Sequence, residues 1–412
     1  MPPRAGDPRG VPRGRAAPRG DGSSGAPRPA PRTNGRDREG AHMNGGSNGH
    51  AVLVWGANHC GQLGDGTRGE RPEPVPLRDT GDDVVAVTAG SHHTLALTRR
   101  GTVLAWGANH YGQLGDGTRQ DRHRPVAVRE LAGVTALAAG GGHSVALLAD
   151  GTVRTWGAND WGQIGDGTRH DHHVPVPVPG LRDVVAVAAG GGHNLALLKD
   201  GTVRTWGSNN RGQLGDGDKT ERRTPVAVRD LGDVTAVSAG GYFSVALLKD
   251  GTVRTWGTNH WCQLGDGTNE ERATPVPVRD LAGVTALDAG WHHTLALLQD
   301  GTVRAWGNNH CGQLGLTPDH DPTAPVTVPA LGHVHHVTAG YRHSLAVRAP
   351  QGRGGPDQCL VWGLTPDDRP PVPTGPVPLA LTNGHTDRRI RSLAAGWAHT
   401  VALLEPLDRG AS

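Results

Sequence analysis

Six histidines recur at one position of a repeating unit, His93, His143, His193, His293, His343 and His399. Imidazole is the side chain best suited to proton transfer near neutral pH and to binding zinc. Catalysis, however, needs a single placed group, whereas these return with nearly every unit at the start of a strand. They read as a hydrogen-bonding brace, each for its own unit, and Phe243 in the same position shows that a unit can omit it. The aspartates of the recurring Gly-Asp-Gly, Asp65, Asp116, Asp166, Asp216 and Asp266, invite a calcium reading. Short acidic turns of this kind are accounted for more simply by a side chain capping its own turn.

Two Cys/His pairs are less repetitive. His59-Cys60 and His310-Cys311 occupy equivalent loops, with His92, His110, His260 and His292 expected on the same side. Such residues could ligate zinc or furnish a covalent nucleophile with its base. The pairs fall in separate units and neither loop has tight ligand spacing, so they stand second to a plain surface reading, and no cofactor is expected. No nucleophile elbow, phosphate-binding glycine loop or metalloprotease helix is present.

Recognition is the third chemistry. The chain has eleven Trp, three Tyr and one Phe. Seven of the tryptophans belong to the periodically recurring Trp-Gly pairs, and the other four, Trp161, Trp261, Trp291 and Trp397, fall in loops. With Tyr111, Arg211, Tyr242, His292, Tyr341 and Arg342 they form a candidate partner-binding set, because rigid aromatic area and arginine dominate binding hot spots. The competing reading is that they pack over grooves between units.

The elements that must position these residues follow from a period. Trp-Gly recurs at Trp55, Trp106, Trp156, Trp206, Trp256, Trp306 and Trp362, and Ala-Gly-x-x-His followed by an apolar run recurs in step with it. A period near fifty with four strand-like pieces per unit predicts propeller blades. In one unit the pieces are Val134 to Ala139 (A), Ser144 to Leu148 (B), Thr152 to Trp156 (C) and a proline-bearing outer piece from Pro175 to Val178 (D). Asp150-Gly151 is the turn between B and C. Proline lacks the ladder N–H, which suits D to a sheet edge. The chain opens with C-like and D-like pieces and closes with A-like and B-like pieces from Ile390 to Leu404. Joined, the ends make a seventh blade, and the expected fold is an all-β, seven-bladed β-propeller closed by its termini. Strand direction then puts the A–B turns and C–D loops on one face, which holds every recognition residue named above.

Composition sets the boundaries. Residues 1–48 are rich in Pro, Arg, Gly and Ser, with nine Arg against four acids, giving this stretch +5 and leaving −3 for the rest of a chain whose net charge is +2. Apolar content is too low to offset the entropy of ordering, so 1–48 is expected to be a disordered tail, 49–406 the propeller and 407–412 a short C-terminal tail. Translation could begin at Met1 or at Met43. The propeller is not basic enough to be a nucleic-acid binder; only the tail could contact nucleic acid. Four dispersed cysteines and the absence of a long apolar run point to a cytoplasmic, monomeric protein without a membrane span.

The string Trp-Gly-x-Asn-x-x-Gly-Gln-Leu-Gly-Asp-Gly-Thr from Trp55 and Trp106, and with Ile164 in place of Leu from Trp156, together with Ala-Gly-x-x-His, resembles the regulator-of-chromosome-condensation repeat over residues 51–404. The resemblance implies a seven-bladed propeller. It also brings the exchange-factor activity of the best-known member toward a nuclear small GTPase, which acts through an inserted β-wedge. The regular loops here carry no such insertion; the one extension is Ala349 to Gln358. The aromatic loops are similar to those of the propeller-type β-lactamase inhibitory protein. The reading of the sequence is therefore a non-catalytic protein-binding scaffold. Its alternatives are an enzyme or metal site built from the His/Cys residues of the same face, and an exchange-factor-like regulator of a small GTPase.

Overall fold

The computed structural model describes residues 50–407 apart from 82, 319–320, 351–356, 364–374 and 382–387. The expectations for the 1–48 tail, for a start at Met43, for most of the Ala349 to Gln358 extension and for the last five residues lie outside the described set. The described residues form seven four-stranded antiparallel sheets and no helix. Among the described residues no helix is long and apolar enough to cross a membrane.

Blade 2 shows how the sequence makes one sheet. Its strands are Val134–Ala139 (A), His143–Leu148 (B), Val153–Gly157 (C) and His172–Pro177 (D), hydrogen-bonded in the order A-B-C-D. Small and β-branched residues suit the crowded inner strands. Between B and C, the Gly151 amide donates to Leu148 O at 3.0 Å and Gly151 has φ of 77°, so only the glycine of the Asp-Gly pair takes the left-handed conformation. The outer strand starts three residues earlier than the prolines suggested, and the C–D register shifts between His172 and Val176, where Pro175 interrupts the ladder.

Blades 1 to 6 follow one another along the chain, and blade 7 joins the ends. Its A and B strands are Arg388–Ala395 and His399–Pro406; C and D are Ala51–Gly56 and Arg71–Pro76. Ala51 to Gly56 pair without a break against Leu404 to His399. Closure by the termini stands as expected, and it removes the open sheet edges of an incomplete ring.

The core lies between blades. One apolar cluster joins Leu95, Leu97, Val103 and Leu114 of blade 1 to Val134, Ala146 and Trp156 of blade 2, and similar clusters fill the other interfaces. Strand B of blade 2 is buried at five of six positions because a neighbouring blade covers each of its faces. Each Trp-Gly tryptophan is a principal filler. Trp156 is wholly buried, and its Nε1 donates to Gln113 O of the preceding blade at 2.8 Å, which satisfies the one polar group of the indole.

Candidate functional site

The repeated histidines close the ring. His93 Nε2 lies 3.0 Å from Ser144 Oγ in the next blade, and Ser144 donates its own proton to Gln113 O at 2.8 Å. With that proton committed the hydroxyl must accept, which assigns the His93 proton to Nε2. The same bridge joins His143 to Asn194 at 2.8 Å, His193 to Ser244 at 3.0 Å, His293 to Ser344 at 2.8 Å, His343 to Thr400 at 3.1 Å and His399 to Thr94 at 3.0 Å. The brace therefore links neighbouring blades at six of the seven interfaces, which corrects the expectation that it acts within one unit. Burial pushes His93, His193, His293 and His399 down to about 3 and His143 and His343 to about 4, so all six are neutral at pH 7. At the blade 4–5 interface Phe243 replaces the donor, and the buried Thr294 Oγ1 has no partner.

The Gly-Asp-Gly aspartates are anchored as expected and do more besides. Asp116 Oδ1 accepts from the Thr118 amide at 2.9 Å and its hydroxyl at 2.7 Å, while Oδ2 takes Arg122 from the start of the outer strand at 2.6 Å. Burial works to raise this carboxyl, and the bonds from Thr118 and Arg122 outweigh it and hold it below the ordinary range.

A–B turns and C–D loops do share a face. The His59 ring lies 5.2 Å from His92, and His92 lies 4.9 Å from Trp397, which ties the C–D loop and A–B turn of blade 7 to blade 1. Around the central axis the A–B turns bring together Tyr242, Trp291, Tyr341 and Trp397. Trp291 and Trp397 stack at 5.8 Å with a 10° interplanar angle, Tyr341 lies 4.9 Å from Trp397, and Tyr242 meets Trp291 edge-on at 6.1 Å. His292 packs 5.9 Å from Tyr341, and the Arg342 guanidinium sits 5.0 Å over the Tyr341 ring.

Outside this hub Tyr111, Trp161 and Trp261 form an arc on C–D loops. Tyr111 and Trp161 lie over the A–B turns of the following blades, where a Cβ on Gly142 or Gly192 would stand 3.2 Å and 3.3 Å from their rings. The packing alternative thus holds in part, yet the two rings stay 44% and 48% exposed. Trp261 meets His310 edge-on at 4.8 Å. Arg211, which bonds Glu271 at 2.8 Å, joins Tyr242, His260, Trp261 and His292 around a cleft of about 290 Å³.

The His/Cys pairs do not assemble. Among the described residues no three His, Cys, Asp or Glu side chains gather as metal ligands, at His59, Cys60, His310 and Cys311 or elsewhere. Burial, helped by Asp121, pushes the Cys60 thiol up, the wrong direction for a nucleophile.

Over this geometry, the family model described as RCC1-like domain matches residues 51–402. The chain belongs to the RCC1-like domain family. The Arabidopsis thaliana ultraviolet-B receptor UVR8 is 38% identical over 88 residues, 21% of this chain and 20% of the receptor. The Danio rerio protein RCC2 homolog is 46% identical over 68 residues, 16% of this chain and 14% of that protein. The chain thus matches about a fifth or less of these relatives' own lengths. The crystal structure of Prp20p from Saccharomyces cerevisiae superposes with a TM-score of 0.76 at 24% identity, covering 88% of this chain and 92% of that one, a likeness of fold.

Two features of this RCC1-like chain escaped the sequence reading. Asp288 and His336 sit on inner strands of blades 5 and 6 and line the central channel. Their only signal was a departure from the repeat. Asp288 stands where blades 2 and 3 have Ala138 and Ala188, and His336 where blades 1 to 5 have Ala86, Ala136, Ala186, Ala236 and Ala286.

Proposed function

We propose that this RCC1-like propeller is a non-catalytic binding module that takes a protein partner on its A–B/C–D face. One observation carries the reading. Of the large apolar side chains exposed among the described residues, Tyr111, Trp161, Tyr242, Trp261 and Trp397 all lie on this face and only Val185 and Val377 do not. Exposed aromatic area concentrated on one surface is the mark of an interaction site. The protein-binding reading also agrees with what is known of structural neighbours: Prp20p was characterised for its binding to Gsp1p and histones, and was also solved bound to Kap60.

The outer arc is the place to test it. Replacing Trp161 and Trp261 together by Ala removes two exposed rings that fill no core cluster, so the melt should not change. An interfacial Trp contributes about 2 kcal/mol or more, roughly thirtyfold in affinity. A protein captured by the wild-type chain and identified by mass spectrometry should then bind the variant at least that much more weakly in titration. Undiminished affinity would move the binding surface elsewhere.

A further inference from the structure

Inside the ring, the upper part of the inner strands and the A–B turns enclose a cavity of about 400 Å³, within the range of small-molecule sites. Its lining is mainly Val, Leu, Ala and Gly, and among the described lining residues there is no Lys or Arg. Asp288 is the one acid there. Its Oδ1 accepts from Ser238 Oγ at 3.1 Å, and its Oδ2 accepts from Thr338 Oγ1 and the Ala339 amide, both at 2.9 Å. Ser238 Oγ in turn accepts the Ala289 amide at 3.0 Å, so its own proton is directed to Asp288. A carboxylate can accept about four hydrogen bonds, and three are filled. The Asp288 side chain remains partly accessible from within the channel although it lies deep in the molecule.

His336 borders the same cavity. Its ring bonds the Leu393 backbone and its Nε2 has no partner. Donation to a carbonyl must then come from Nδ1, which leaves Nε2 as an unfilled acceptor in the neutral ring. Burial holds His336 below its ordinary value, against the pull of Asp288 and the bond to Leu393. Burial also raises the Asp288 carboxyl, against the bonds from Ala339, Thr338 and Ser238 and the pull of His336.

The mouth of the cavity is aromatic. Trp291, Tyr341 and Trp397 belong to its wall. The Trp291 indole reaches across toward blades 4 and 3, where a Cβ on Gly241 would stand 2.8 Å and on Gly191 3.2 Å from its ring atoms. Bare glycine at both turns leaves room for it. Aromatic faces attract cations, and Arg342 over Tyr341 shows one already held at this rim.

The geometry points to the channel as a binding site for a small organic ammonium ion, with Asp288 as its counter-charge and Trp291, Tyr341 and Trp397 as its aromatic wall. The inference is independent of the protein-binding reading. The ammonium can arrive as a free amine or as the tip of a lysine side chain, and the two sources share this chemistry.

Isothermal titration of the full chain tests it with four probes: n-butylammonium, tetramethylammonium, neutral 1-pentanol, and the peptide acetyl-Gly-Lys-Gly-amide. At least one ammonium probe should bind saturably and about tenfold or more tighter than 1-pentanol. Binding by the free amines assigns a free ligand, and binding by the peptide alone assigns a lysine tip. Asp288→Asn should weaken the ammonium at least tenfold. Asp288→Ala, which installs the residue that blades 2 and 3 carry, should do the same with a cooperative melt retained. No saturable ammonium binding, equal binding of 1-pentanol, or undiminished binding by both folded variants would overturn the assignment.

Discussion

Two threonines at equivalent positions should respond to the same substitution with opposite sign. Thr94 Oγ1 donates to Gln62 O at 2.8 Å and accepts from His399 Nε2 at 3.0 Å. Thr294 is equally buried, but faces Phe243 and its hydroxyl has no partner. Valine matches threonine in shape and removes only the hydroxyl. At Thr94 the change deletes both bonds and strands the His399 donor, a cost of about 2–3 kcal/mol. At Thr294 it removes an unsatisfied buried polar group, a gain of about 1 kcal/mol. Urea unfolding followed by tryptophan fluorescence should therefore separate Thr94→Val from Thr294→Val by about 3–4 kcal/mol, the first below wild type and the second above it. A second arm restores the missing bridge. Phe243→His places a donor opposite Thr294, and a double-mutant cycle with Thr294→Val should show favourable coupling of about 1 kcal/mol. If Thr294→Val destabilises as much as Thr94→Val, the blade 4–5 interface is not missing a bridge and the argument for a ring of inter-blade histidines with one gap fails.

Acid should dismantle the ring through those same histidines. Their native pKa values of about 3 to 4 lie below the unfolded value near 6.5, so the unfolded chain binds more protons between these limits and stability is lost as pH falls through that window. At pH 5 each histidine accounts for about 2 kcal/mol, and six together rival the whole stability of a domain; urea midpoints that agree at pH 7 and pH 5 would refute this. Deleting residues 389–412 should abolish soluble folding, because the last strand pairs with Ala51 to Gly56 along their full length and its loss opens a sheet edge. A monomeric truncation with a cooperative melt, read by size exclusion and circular dichroism, would contradict closure by the termini.

What the sequence disclosed and what it concealed divide along a physical line. Hydrogen bonds local to one unit, such as the Asp116 turn closed by Thr118 two residues on, repeat with the sequence and announce themselves. The tryptophan period, the hairpin glycines and the split of blade 7 belong to this class, and so does the common face of the A–B turns and C–D loops, because it follows from strand direction alone. The histidine bridge does not. His93 and Ser144 are 51 residues apart, one repeat plus one, and because every unit carries both groups, the sequence cannot distinguish a bond within a unit from a bond to the next one. The gap at Phe243 was visible, but that it leaves Thr294 without a partner depends on the same unseen pairing. Asp288 was concealed for the opposite reason. Inner strands read as apolar core, and one acid within such a run looks like noise until the ring places its strand on the channel. There Asp288 stands among the Ala, Ser and Thr that hold the same position in the other blades. In a structure of near-identical blades, symmetry accounts for the fold, and the departures from it, Asp288, His336 and the aromatic turns of blades 5 to 7, are where a ligand can be told one position from another.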